Sequence, residues 1–173
     1  MTQIPPVSIY SMTVPVLINA MKNLTHILSK AEAFAEAKKI DPSVVIEARL
    51  ALDMHPLRRQ IQSVSDTAKG AVARLTGTEI PSMADTETSF AELKDRLAKT
   101  IAYIESVDPA LFDGAESRDV VLKLPGREIP FTGYSYVVGF VLPNLFFHVT
   151  TAYAILRHYG VELGKTDYLR GGL

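Results

Sequence analysis

The 173-residue chain contains no cysteine and no tryptophan. Without cysteine, disulfides, thiolate catalysis and cysteine-ligated metals are excluded. An excess of charge is also missing: 18 Lys and Arg stand against 19 Asp and Glu, a net charge of -1. Nucleic-acid binders usually show a basic excess or patch, so no nucleic-acid partner is expected. No Walker loop, GxGxxG, HExxH or GxSxG occurs, which removes the local signatures of phosphate cradles, dinucleotide sites, zincins and nucleophile elbows. The opening Met1-Thr2-Gln3-Ile4-Pro5-Pro6 carries no Lys or Arg and is not followed by the apolar run of a secretory signal. The most apolar stretch, from Tyr134 to Tyr159, is interrupted by Gly139, Pro143, Asn144, His148 and Arg157. A membrane span needs about 20 largely apolar residues, so this stretch is expected to be a buried core helix. The expectation is one soluble, cytoplasmic domain over residues 1–173, with no membrane partner.

What is present is helical periodicity. From Ser8 to Lys39 the apolar row Ile9, Met12, Val16, Ala20, Leu24, Ile27, Ala31 and Phe34 advances in steps of three and four, one face of a helix. Pro15 either kinks this helix or sits in the first turn of its regular part. Asp41-Pro42 is a restart signal, a capping side chain followed by a proline suited to the first helical position. A second helix is predicted from there to Thr76, with Gly77 as its stop. Its stripe is Leu50, Met54, Leu57, Ile61, Val64, Ala68, Ala71 and Leu75, and Pro56 inside it predicts a kink near Leu52.

Ser89 and Glu92 form a capping-box pattern ahead of a third helix carrying Phe90, Leu93, Leu97, Ile101 and Ile104, which ends near Val107. Val120, Leu122 and Leu124 then alternate with Val121 and Lys123, and Pro125-Gly126-Arg127-Glu128 is turn chemistry. A short hairpin is predicted in this crossover before the last helix, with Pro130 on an edge. The fourth helix runs from about Gly133 to His158, with Tyr134, Val138, Val141, Leu145, His148, Ala152 and Leu156 inward and a bend at Pro143. The architecture is all-α, a four-helix bundle.

Candidate chemistry falls on polar residues that interrupt these apolar faces. His148 lies within roughly 40° of the inward row of the fourth helix, at about 100° per residue. Asn144 flanks the same face one turn earlier. On the second helix Asp53 and Gln60 flank the stripe, and His55 points away from it unless the Pro56 kink turns it inward. A buried imidazole needs a partner for at least one ring nitrogen, and Asn144, a water, a facing carboxylate or a metal would serve. His26 is read as a polar flank. His158, in the last turn, is read as a favourable charge at the helix C-terminus.

The stretch Leu142-Pro143-Asn144-Leu145-Phe146-Phe147-His148-Val149-Thr150-Thr151-Ala152-Tyr153-Ala154-Ile155-Leu156-Arg157-His158-Tyr159-Gly160-Val161 resembles the domain-of-unknown-function 1993 family. So do Asp66-Thr67-Ala68-Lys69-Gly70 and Leu122-Lys123-Leu124-Pro125-Gly126-Arg127-Glu128. The resemblance covers nearly the whole chain. It places the chain with the DinB/YfiT-like four-helix bundles, and it implies an up-down-down-up order and a homodimer. Some members of that superfamily are thiol-dependent transferases or isomerases that use mycothiol or bacillithiol. The enzymatic members hold a divalent metal with three His, one from the second helix and two about a turn apart on the fourth. The resemblance implies that His148 takes the second of the fourth-helix positions and that the earlier one falls on Asn144. His55 or Asp53 is nearest to the second-helix position.

Two functions follow as expectations. The first is a bundle that binds a small molecule or a partner in a polar pocket between helices two and four, formed by Asp53, Gln60, Asn144 and His148, without a complete metal triad. The alternative is a zinc- or nickel-dependent, thiol-dependent transferase or isomerase whose weakened site is His148, Asn144 and His55. Amide oxygen is a poor replacement for imidazole toward either metal. A third idea, purely structural dimerisation, would need no ligand.

Overall fold

The computed structural model describes residues 7–171. Met1 to Pro6, on which the absence of a secretory signal was read, lie outside them. Helix α1 spans Ile9–Lys38, opens on a capping box between Ser8 and Ser11, and passes through Pro15 without ending. Its buried line runs through Leu17, Met21, Leu24 and Leu28, while Met12, Val16 and Phe34 are only half-buried. The predicted row is therefore turned slightly from the true core line.

The second helix is the main correction. Asp41 does cap a helix, its side chain accepting from the Ser43 N–H, but α2 spans only Pro42–Ile46. Residues 47–56 form a turn, and α3 begins afresh at Leu57–Thr76 with Pro56 as its N-cap residue. Proline lacks the N–H and clashes with the carbonyl four residues back. Here that conflict ends one helix and starts another instead of kinking a single one. The turn is held by Leu57 N–H on Ala48 C=O at 2.9 Å, by Arg49 on the Met54 carbonyl and by an Arg58–Glu47 ion pair. Leu50 is consequently exposed and Leu52 is 99% exposed, and Val45, Ile46 and Ala48 fill the core places assigned to that stripe. From Leu57 onward the predicted stripe is buried through Leu75.

Residues 77–89 then return along α3. Lys69 Nζ donates to the Pro81 carbonyl at 3.0 Å, and Arg59, nearly three turns earlier, pairs with Asp85. Helix α4, Phe90–Ser106, opens on the predicted capping box of Ser89 and Glu92. It runs parallel to α3: Arg96 meets Asp66 near its start and Tyr103 meets Thr78 near its end. Two short 3₁₀ turns, Pro109–Phe112 and Ala115–Ser117, lead to the hairpin.

Strands β1, Asp119–Leu124, and β2, Arg127–Thr132, pair antiparallel with Val121 opposite Pro130. Val120 and Leu122 point into the core and the residues between them face out. A two-stranded ribbon has only edges, which is where proline is tolerated. Gly133 follows, packed so closely that a Cβ there would lie 1.8 Å from the Ala115 carbonyl oxygen.

The last long helix, Gly133–His158, has three parts: α5 at Gly133–Tyr136, a π-helical segment at Val137–Val141, and α6 at Leu142–His158. The Leu142 N–H reaches back five residues to the Val137 carbonyl. The wide turn precedes Pro143, whose ring would crowd the carbonyl of residue 139 in a regular α-helix. It also shifts the helix phase, so Tyr134 and Val138, predicted inward, are exposed, while Tyr136, Val137, Val141 and Leu145 are buried. A final short helix α7, Lys165–Arg170, packs back on α1. The long helices α1, α3, α4 and the last one follow the up-down-down-up order and enclose one apolar cluster from Ile9 to Leu163.

Candidate functional site

The sequence residues that the fold brings together sit on the facing sides of α3 and α6. His148 Nδ1 lies 2.7 Å from Gln60 Oε1, and Gln60 Nε2 donates to the His55 backbone carbonyl at 2.9 Å. A backbone carbonyl can only accept, so the contact to His55 fixes which end of the Gln60 amide is nitrogen. The end that faces His148 is then the oxygen, also only an acceptor. His148 must donate from Nδ1, and its Nε2 keeps a lone pair. Gln60 is only 2% exposed, so water does not compete for this bridge.

The imidazole pKa is lowered from the ordinary value of 6.5, first by burial and then by the positive charge of His55 and Arg59. All these effects favour the neutral ring that the Nδ1–H bond already specifies. The Phe147 ring stands edge-on to the imidazole, with centroids 5.2 Å apart.

One turn earlier on α6, Asn144 Nδ2 donates to Thr67 Oγ1 at 2.7 Å. The Thr67 hydroxyl donates in turn to the Ser63 carbonyl at 2.7 Å, so its oxygen is the acceptor. That orients the Asn144 amide and leaves its Oδ1 as the acceptor without a partner among the described residues. The seam between α3 and α6 thus offers two spare acceptors, Nε2 of His148 and Oδ1 of Asn144. Thr67 escaped the sequence reading because a threonine bonding to the carbonyl four residues back is common in any helix.

Asp53 does not join this group. It lies exposed in the turn before α3, because the helix on which its position was projected ends at Ile46. His55 lies in the same turn with an exposed ring, and its carbonyl, not its imidazole, takes part in the bridge. As a metal site, His148, Asn144 and His55 would offer one fixed imidazole nitrogen, one amide oxygen and one ring on a surface turn. Among the described residues no three His, Cys, Asp or Glu are grouped so as to hold a metal ion. This donor set does not fit a firm zinc or nickel centre, which needs convergent imidazole, thiolate or carboxylate ligands.

Two other polar clusters were missed by sequence reasoning. Arg96, 2% exposed, binds Asp66, Asp85 and Glu87 at 2.8 to 3.0 Å and pins the returning segment 77–89 to α3 and α4. Asp167 caps its own helix through the Gly164 N–H at 2.7 Å and also meets His26 Nε2 at 2.9 Å and Lys30 Nζ at 3.1 Å. Its carboxyl pKa falls to about 2, the backbone bond from Gly164 lowering it most. His26 is therefore a docking residue for α7. His158 is exposed at the helix end.

Two long helices run parallel, joined by a returning loop, and a polar seam lies between the second and the last long helix. These features place the molecule among the DinB-like helical bundles. Residues 9–169 match the family described as "Domain of unknown function (DUF1993)", and the chain belongs to that family. It is similar to a crystal structure of a DinB family member protein from Shewanella denitrificans, with 46% sequence identity and a TM-score of 0.85, over 92% of this chain and 90% of that one. No curated protein matches the chain.

Proposed function

We propose that this chain is a binding protein of the DinB type that takes a small molecule bearing N–H or O–H donors in the seam between α3 and α6. The observation that carries the reading is the bridge from the His55 carbonyl through Gln60 to His148 Nδ1, at 2.9 and 2.7 Å. It holds a neutral imidazole in one tautomer with Nε2 free to accept. Asn144 Oδ1 supplies a second acceptor at the neighbouring turn. Two acceptors suit a neutral amide or alcohol that donates to them, and the nearby charge of Arg59 disfavours a protonated amine.

The test uses protein labelled with ¹⁵N-histidine, screened against small amides and alcohols. A binder should shift the His148 Nε2 resonance, and the shift should disappear in Asn144→Ala. Stoichiometric zinc or nickel that is lost in His148→Ala would overturn this reading in favour of a metal-dependent enzyme. A screen with no response at Nε2 would also defeat it.

A further inference from the structure

Helix α7 is attached to the bundle by polar ties more than by burial. Asp167 meets His26 and Lys30 on α1, Asn23 Nδ2 donates to the Tyr168 carbonyl at 2.9 Å, and the Tyr168 hydroxyl lies 3.0 Å from that of Thr150. Asp167 is the buried residue of α7, while Leu169 is 50% exposed. Between α7, α1 and α6 lies a cavity of about 480 Å³, walled by Val16, Ala20, Phe146, Val149 and Leu169. That volume falls in the usual range of small-molecule sites.

No Asp, Glu, Lys, Arg or His lines this cavity, and its polar side chains are Asn19, Asn23 and Tyr168. Asn23 is only 5% exposed. The Tyr168 carbonyl can only accept, so it fixes which end of the Asn23 amide is nitrogen. The Asn23 Oδ1 is then an acceptor with no donor among the described residues. Gly171 ends α7 at φ 60°, and a Cβ there would lie 3.2 Å from this oxygen. The glycine leaves the acceptor uncovered where a side chain would press on it.

We propose that this cavity is a binding site for a small uncharged molecule with an apolar body and one O–H or N–H donor, and that α7 is its lid. The donor goes to Asn23 Oδ1 and the body lies against the apolar walls. A charged group would lose its water there and find no counter-ion. Tyr168 and Leu169 belong to both the lid and the lining, so the occupant covers apolar surface that α7 alone leaves in water. Binding and lid closure are therefore linked. Whatever fills the cavity steadies α7, and whatever frees α7 weakens binding. The site is separate from the seam, since His148 and Asn144 bond to α3 and neither lines the cavity.

The probe is 2-naphthol, with 2-naphthoate as its anionic counterpart, titrated into the full chain at neutral pH and followed by fluorescence and amide hydrogen exchange. 2-Naphthol should bind saturably and slow exchange over Lys165–Arg170. 2-Naphthoate should bind more weakly by about tenfold or more. Val16→Trp fills the cavity from a half-buried position and should abolish binding with helical circular dichroism unchanged. Asp167→Ala should lower affinity about tenfold, the drop expected when α7 is docked about a tenth of the time. His148→Ala should bind 2-naphthol as the wild type does. No saturable binding of 2-naphthol, equal binding of 2-naphthoate, or binding that survives Val16→Trp overturns the proposal. Binding kept in Val16→Trp but lost in His148→Ala overturns it too and puts the probe in the seam, a reading that the histidine-resonance test decides separately.

Discussion

Replacing Gln60 by Glu tests the bridge in the seam more sharply than deleting it. The carboxylate keeps an acceptor for His148 Nδ1–H, so the 2.7 Å contact can persist. It loses the N–H that donates to the His55 carbonyl, and an acceptor then faces an acceptor. One lost hydrogen bond costs about 1 kcal/mol, more if the carbonyl finds no water. The larger effect is on the proton. In the wild type, burial and the charges of His55 and Arg59 hold the His148 pKa below 6.5. A carboxylate in hydrogen-bond contact should raise proton affinity by roughly ten- to a thousand-fold, toward the lower figure at this half-buried ring.

The pH dependence of stability should therefore weaken, and reverse where the carboxylate outweighs burial and the neighbouring charges. In the wild type the unfolded chain takes up the proton first. Stability from this group is present above 6.5 and is lost as pH falls through the lowered folded value. In Gln60→Glu the folded pKa rises, and where the rise exceeds the wild-type lowering it lies above the unfolded one. That contribution is present below the unfolded pKa and fades as pH rises through the folded value. Urea unfolding at a series of pH values, with histidine NMR titration alongside, reads both quantities. A His148 pKa that is no higher in the variant than in the wild type would refute the assignment of Gln60 as the acceptor on Nδ1.

Other predictions concern the two clusters outside the seam and one exposed position. Arg96→Met should destabilise the fold by about 1 to 3 kcal/mol, because it removes the buried guanidinium that holds the largely covered Glu87 and the more exposed Asp66 and Asp85. Hydrogen exchange should rise first in residues 77–89. Asp167→Ala should release α7 from α1, seen as fast exchange over Lys165–Arg170 with the exchange of α3 unchanged. In the wild type the stability from Asp167 is present above pH 3.8 and is lost as pH falls toward about 2, which acid unfolding of the pair should show as a difference confined to that window. Leu52→Asp should change stability by less than about 0.5 kcal/mol in a thermal melt, since its side chain touches water almost everywhere.

Much of this fold was legible because its signals are local. The Ser89–Glu92 capping box, the Pro125-Gly126 turn and the alternation of Val120 and Leu122 each involve a few neighbouring residues, and each appears as read. Two features were not legible. A proline inside an apolar stripe looks the same whether it kinks a helix or ends it, and at Pro56 the outcome depends on whether the preceding turn finds partners. It finds them in Ala48, Glu47 and Arg49. Extrapolating the helix through that break put Asp53 and His55 on faces that do not exist. The π-helical turn before Pro143 likewise adds no residue type that marks it, yet it rotates everything ahead of it, which is why Tyr134 and Val138 emerged on the surface. His148, Asn144 and Gln60 survived because all three lie on the regular side of those breaks. Their partners were hidden: a glutamine amide gives no hint in sequence that it will span a backbone carbonyl and an imidazole.

The most direct measurement is the tautomer of His148 in the wild type, from long-range ¹H–¹⁵N correlation at neutral pH. The bridge through Gln60 predicts a neutral ring protonated at Nδ1, with an unprotonated Nε2 resonance. A ring protonated at Nε2, or an imidazolium at that pH, would contradict it and leave the seam without its free acceptor.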